Sequence, residues 1–143
     1  MIDCKQAQQI LADVFPAWVQ DLDIGVSAVS ETSVRLIVPP SPRVVRVGNI
    51  VAGQVLLTLA DTAMVLALSN ALGEFRPVGT VDLTSSFMKP VRNVGVVCET
   101  EILRLGRTMG FCRAMIFEEG KTDVLVHVTA TYSIPPSAQT APK

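Results

Sequence analysis

The chain has 143 residues, 12 basic against 13 acidic, with 49% apolar and 17% charged residues. That length builds one domain around one core, expected over residues 1–134, and is too short for two. The balanced charge, with no basic run interleaved with aromatics, excludes the electrostatic footprint of a nucleic-acid binder, and so little charge leaves apolar surface to meet another subunit.

The first 15 residues read as amphipathic helix and lack the apolar stretch and cleavage site of a secretory signal, so no export is expected. Cys4, Cys98 and Cys112 are scattered, odd in number and without a Cys-x-x-Cys pair. They fit neither a disulfide framework nor a zinc site, and reduced thiols in a cytoplasmic protein are the simplest reading. The opening helix is expected over residues 5–18. Within residues 24–38, Ser33-Val-Arg-Leu-Ile-Val38 is rich in β-branched and aliphatic side chains and predicts one strand. Pro39, Pro40 and Pro42 end it, and a loop runs to about residue 51.

Residues 53–72 are apolar on most sides and rich in Leu, Ala and Met, with Gly73 as a left-handed stop. Asp61 at the centre, with Thr58, Thr62, Ser69 and Asn70 around it, argues for a buried helix and against a membrane span. Four strands should follow, over residues 78–88, 96–105, 109–117 and 123–134. The turns Leu105-Gly-Arg-Thr108 and Glu118-Glu-Gly-Lys121 are too short for parallel crossovers, so these strands pair as antiparallel hairpins. One long helix with one strand before it and four after implies an α+β domain, a largely meandering sheet wrapped around the helix. The tail, residues 135–143, reads as disordered.

Asp61 is the most informative residue. A carboxylate inside an apolar helix must be paired, hydrogen-bonded or shifted in pKa, and such positions suit a general base; it could equally face a wet groove or a basic partner. Gly53 opens the helix, where unpaired N–H groups can hold a carbonyl oxygen as it becomes an oxyanion, or it merely permits a tight turn. Thr80 and Asp82 should share one face of the next strand, opposite Val81, Leu83 and Phe87, pointing toward the helix or toward solvent at an edge. His127 is the only histidine. Its isolation argues against a Ser-His-Asp hydrolase, a histidine-rich metal site and a histidine-dependent dehydratase, each of which needs imidazole beside its other groups. Lys89, Arg104 and Arg107, near strand ends or turns, suit the phosphates of a nucleotide handle such as coenzyme A, or are solvated surface charge. No Gly-x-Gly-x-x-Gly or Walker loop occurs.

The string Ala52-Gly-Gln-Val-Leu-Leu-Thr-Leu-Ala-Asp-Thr-Ala63 and the order of elements resemble the hotdog-fold acyl-CoA thioesterases of the phenylacetate-degradation (PaaI-like) group. Thr80-Val-Asp-Leu83 with Phe87-Met-Lys-Pro90 is similar to that group's next strand, and Leu103-Arg-Leu-Gly-Arg107 and Ala130-Thr-Tyr132 to its later ones. The resemblance implies a hotdog dimer, often doubled to a tetramer, with acyl-CoA entering between subunits and neither metal nor redox cofactor. It implies Asp61 as the carboxylate that activates water or attacks the thioester, the Gly53 amide as oxyanion donor, and Thr80 as a hydroxyl that positions water. Where the family reads His-Gly-Gly, this chain has Ala52-Gly53-Gln54; where it often has asparagine six residues earlier, Arg46 stands, with Asn49 near enough in sequence to substitute. Gln54, Thr62, Arg46, Lys89, Arg104 and Arg107 are the candidates for contact with substrate or its CoA handle. The expected function is acyl-CoA thioester hydrolysis; the alternative is a non-catalytic hotdog module that binds acyl-CoA or an aromatic ligand.

Overall fold

The computed structural model describes residues 1–137. Helix α1 (Cys4–Val14) begins at Asp3, whose carboxylate accepts from the Gln6 amide while the Gln6 side chain accepts from the Asp3 amide. The single opening helix expected to residue 18 is instead two. Pro16 has no donor and pushes Phe15 to extended backbone (φ −90°, ψ 149°), so a separate turn, α2 (Ala17–Gln20), follows it.

Where one strand was expected, two form a hairpin, β1 (Gly25–Val29) and β2 (Val34–Val38), joined through Ser30–Ser33. The polar Ser-Glu-Thr-Ser turn divides the segment, and β1 is too sparse in large apolar residues to stand out by composition. The expected loop also contains a small ribbon, β3 (Val45–Arg46) with β4 (Ile50–Val51). Gly48 and Asn49 take left-handed backbone (φ 89° and 58°) at its tip, a conformation these two residue types tolerate best.

Helix α3 (Gly53–Leu72) has the expected bounds, stopped by Gly73 at φ 79°. Strands β5 (Gly79–Phe87), β6 (Val96–Leu105), β7 (Met109–Glu118) and β8 (Val126–Ser133) follow. The last begins three residues later than expected, after an irregular stretch. Residues 135–137 carry no regular structure, and residues 138–143 of the expected disordered tail lie outside the described residues.

The six long strands form one antiparallel sheet in the order β1-β2-β6-β7-β8-β5. The β6-β7-β8 meander is as expected, and β5, reached through α3, lies at the far edge beside β8. Wrapped around one long helix, this is the hotdog arrangement. By length and composition α3 could cross a membrane, but 67% of its most apolar window is buried inside the fold. The two sheet edges differ. Gln8 of α1 covers β1, accepting from the Val26 amide and donating to the Ile24 carbonyl. On β5, one side pairs with β8, and Val81, Phe87 and Met88 stand exposed beside the other.

The helix-facing side is laid out in cross-strand rows. One runs Leu36, Cys98, Ile116, Val126, Phe87; another ends Leu105, Gly110, Tyr132, Thr80. Small residues at the centre, Cys112, Ala114, Ala130 and Gly110, let α3 approach closely. A Cβ on Gly110 would lie 2.8 Å from Leu68 Cδ2, and Leu68 is fully buried. Gly110→Ala should therefore destabilise the fold by about 1–3 kcal/mol in denaturant unfolding. Adding Leu68→Ala should cost less than the two single changes summed, because both act on one contact.

Candidate active site

Most of α3 is buried, but Gln54, Thr58, Asp61 and Val65, spaced at helical intervals, form a stripe that the chain leaves partly or fully open alongside β5. Asp61 is the one ionisable residue in the helix. Its Oδ1 accepts two hydrogen bonds, from Tyr132 Oη at 2.7 Å and Thr80 Oγ1 at 3.1 Å. Tyr132 is wholly buried. Burial, then the Asp61 charge and their hydrogen bond, push its phenol far above the usual range, so Tyr132 is a donor at any ordinary pH.

Thr80 reaches Asp61, but Asp82 does not share its face. A bulge shifts the register between them, pairing Thr80 with Tyr132 and Asp82 with Thr131. Thr131 alternates with the inward Tyr132, so Asp82 points to the outer face, while Leu83 and Phe87 join Thr80 on the inner one. Strict alternation across residues 80–83 was the wrong assumption.

Gly53 lies in a cleft of about 330 Å³ with Arg46, Leu56, Phe87, Met88 and Lys89. Its backbone is not left-handed, and an added Cβ would touch the Phe87 ring at an ordinary 3.6 Å. The fold of the chain therefore does not require glycine here, and the tight-turn explanation fails. No hydrogen bond within the described residues takes up the Gly53 or Gln54 amide, and Ala52 supplies no side-chain cap. Gly53 and Asp61 stand eight residues apart on one helix, a rise of about 12 Å, too far for both to touch one carbonyl group.

The other candidates scatter. Asn49 belongs to the β3–β4 tip, where its Oδ1 is 3.5 Å from Asn93 Nδ2; it is held by the turn, at the opposite end of β4 from Gly53. Thr62 is buried and offers a ligand no surface within this chain. Arg46 and Lys89 border the Gly53 cleft, Lys89 in an exposed ion pair with Asp123 at 3.3 Å. Arg104 sits opposite Phe111 on the outer face, and Arg107 occupies the β6–β7 turn beside Arg76; neither borders that cleft. His127 is also on the outer face, between the inward Val126 and Val128, so the sheet separates it from Asp61 within the chain. No set of His, Cys, Asp and Glu with metal-holding geometry occurs among the described residues. The Cys112 thiol is pushed up to about 12 by burial and Cys98 higher still, so both pack as apolar groups.

Tyr132 was missed as a site residue. Its signal was legible: it continues the inward series Val126, Val128, Ala130, and a buried tyrosine needs a partner for its hydroxyl. Glu118 was missed too. Its side chain is only 7% exposed and accepts from Arg92 Nη2 at 2.9 Å, Arg92 Nε at 3.0 Å and the Arg92 amide at 3.1 Å. This pair walls a second cleft of about 510 Å³, bounded also by Ile50, Lys89, Lys121 and Asp123.

Residues 48–125, more than half of the chain, match the family model described as the thioesterase superfamily. The chain belongs to that superfamily. A thioesterase-named structure from Silicibacter sp. TM1040 is 26% identical, with a TM-score of 0.85 over 95% of this chain and 94% of its own. A Haemophilus influenzae thioesterase, 24% identical, superposes with a TM-score of 0.83 over 94% and 92%, which shows the shared fold. A Thermoplasma acidophilum protein carrying an esterase name is 23% identical over 111 residues, 78% of this chain and 82% of its own. Membership in this superfamily supports thioester hydrolysis in general, and the hotdog fold expected from the sequence is the one observed.

The cleft wall yields a pH prediction. The Arg92 hydrogen bonds hold the Glu118 carboxyl at about 2, against a burial effect of opposite sign. A carboxyl depressed in the folded state contributes stability above its unfolded pKa of about 4.5 and loses it as pH falls toward 2. The unfolding temperature of the wild type should thus fall between pH 4.5 and 2 more steeply than that of Glu118→Gln.

Proposed function

We propose that this superfamily member hydrolyses acyl-CoA thioesters in the cytoplasm as a homodimer or a dimer of dimers. Within the superfamily it is assigned to the phenylacetate-degradation (PaaI-like) branch that lacks the motif histidine. The observation that carries the reading is the Asp61 carboxylate, held by two hydroxyls in the open stripe of an otherwise apolar helix. A chain that only bound a ligand would gain nothing evident from so costly a group.

The chemistry divides between two copies of the chain. Asp61 takes a proton from water that attacks the thioester carbon, or attacks that carbon itself to give an anhydride that water then opens. In either case the carbonyl oxygen becomes an oxyanion, and collapse expels CoA as thiolate. Protonated Asp61 returns its proton to the thiolate in the first route. The unpartnered Gly53 amide, with Gln54 beside it, is the donor aimed at the oxyanion. Because Gly53 and Asp61 of one chain are too far apart, the amide serving one carboxylate comes from the second copy. The exposed edge of β5 with Val81, Phe87 and Met88 supports pairing there, which would bring the open stripes of two α3 helices together. Arg46 and Lys89, at the mouth of the Gly53 cleft, are the cations best placed for the CoA phosphates.

The test is release of CoA thiol from short-chain, long-chain and aryl acyl-CoAs. Asp61→Asn should abolish turnover. Gly53→Pro removes the amide at a first-turn position that proline suits, behind an Ala52 already at ψ 140°, and should lower kcat about 100-fold or more. Equal mixing of refolded Asp61→Asn and Gly53→Pro subunits should restore about a quarter of wild-type activity, since half the dimers are hybrids and each has one intact site. Acyl-CoA binding without turnover in the wild type would favour the binding module instead.

A further inference from the structure

Both hydrogen bonds to the Asp61 side chain land on the same atom. Tyr132 Oη, 2.7 Å away, and Thr80 Oγ1, 3.1 Å away, approach Oδ1, and no bond within the described residues engages Oδ2. The two donors come from different strands, β8 and β5, and meet because their residues are register partners, Thr80 opposite Tyr132. The two hydroxyls are not equivalent. Thr80 is exposed, so water can replace or share its bond. Tyr132 is fully buried, with a phenol that stays protonated, so its bond is always offered and water has little access to replace it.

We infer that Tyr132 is a positioning residue for hydrolysis, fixing the Asp61 carboxylate through Oδ1 so that Oδ2 alone meets the water or the thioester carbon. This rests on the proposed role of Asp61 and assigns the roles of its two oxygens. A carboxylate free to turn about its last torsion would spend part of its time with neither oxygen aimed at the reacting carbon, and a fixed one does not. The tether also explains why a tyrosine, rather than an aliphatic residue, completes the inward series of Val126, Val128 and Ala130. A phenylalanine there would fill nearly the same space and leave Oδ1 held by the exposed Thr80 hydroxyl alone.

The experiment compares Tyr132→Phe, Thr80→Val and Thr80→Ser with wild type and Asp61→Asn, measuring kcat, KM and the unfolding transition on an acyl-CoA that the wild type turns over. Tyr132→Phe should lower kcat by about 10- to 100-fold with KM within about twofold, in protein that remains fully folded at the assay temperature. Thr80→Ser should stay near wild type. Thr80→Val should cost less than Tyr132→Phe, because water can reach the vacated position. Tyr132→Phe with unchanged kcat, where Asp61→Asn is inactive, overturns the inference while leaving the thioesterase reading intact. A loss confined to KM, or one that disappears once activity is corrected for the folded fraction, overturns it as well. Wild type without turnover, or Asp61→Asn as fast as wild type, ends the hydrolase reading and this assignment together.

Discussion

A twenty-residue helix this apolar cannot stand in water, and the rest of the chain is arranged to cover it. Five strands turn an apolar row toward α3, the central positions of those rows are kept small, and Gly110 gives up its side chain so that Leu68 can lie on the sheet. The helix that forces this arrangement also decides where chemistry can occur. Along the stripe from Gln54 to Val65 beside β5 the cover stops and a polar group on α3 can meet solvent, whereas the buried Asn70 near the helix end is taken up by the Ile2 amide and the Ser30 carbonyl.

Asp61 occupies that gap, and the gap explains how it is tolerated. In the covered part of α3 a carboxylate would need a buried cation, and that part of the core contains none. At the uncovered stripe two hydroxyls and partial access to solvent suffice. The same gap makes the protomer incomplete. The amide that could receive an oxyanion and the carboxylate that could drive attack lie two helical turns apart, so the helix that carries both cannot bring both to one substrate. A second copy approaching along β5 resolves the mismatch without moving either group.

How much was legible in the sequence follows from which signals are local. The α3 bounds were read correctly because an apolar run ended by glycine is a local pattern, and the β6-β7-β8 meander followed from turns too short to do anything else. What failed depended on context that spacing does not encode. The β1–β2 hairpin was read as one strand because β1 owes its pairing to its neighbour rather than to its own composition. Pro16 was passed over inside an amphipathic stretch whose period continues across it. Thr80 was wrongly grouped on one face with Asp82 because a bulge adds one residue to β5 between them and inverts the parity upstream of it.

The site shows the same division. Asp61 stood out because a charge in an apolar helix is anomalous in any context, and Gly53 because it opens that helix. Tyr132 did not, since a tyrosine in a strand is ordinary; it becomes informative only when the register places it opposite Thr80 and beneath Asp61. The bulge that separated Thr80 from the face of Asp82 is what makes that meeting possible. Downstream of it, Leu83, Ser85 and Phe87 keep the inward parity that apolar packing demands; without the extra residue, Thr80 would fall on the outer face and Val81 would stand opposite Tyr132. One inserted residue in an edge strand thus reconciles two demands with incompatible spacing, an apolar row against the core of α3 and a hydroxyl beneath its carboxylate.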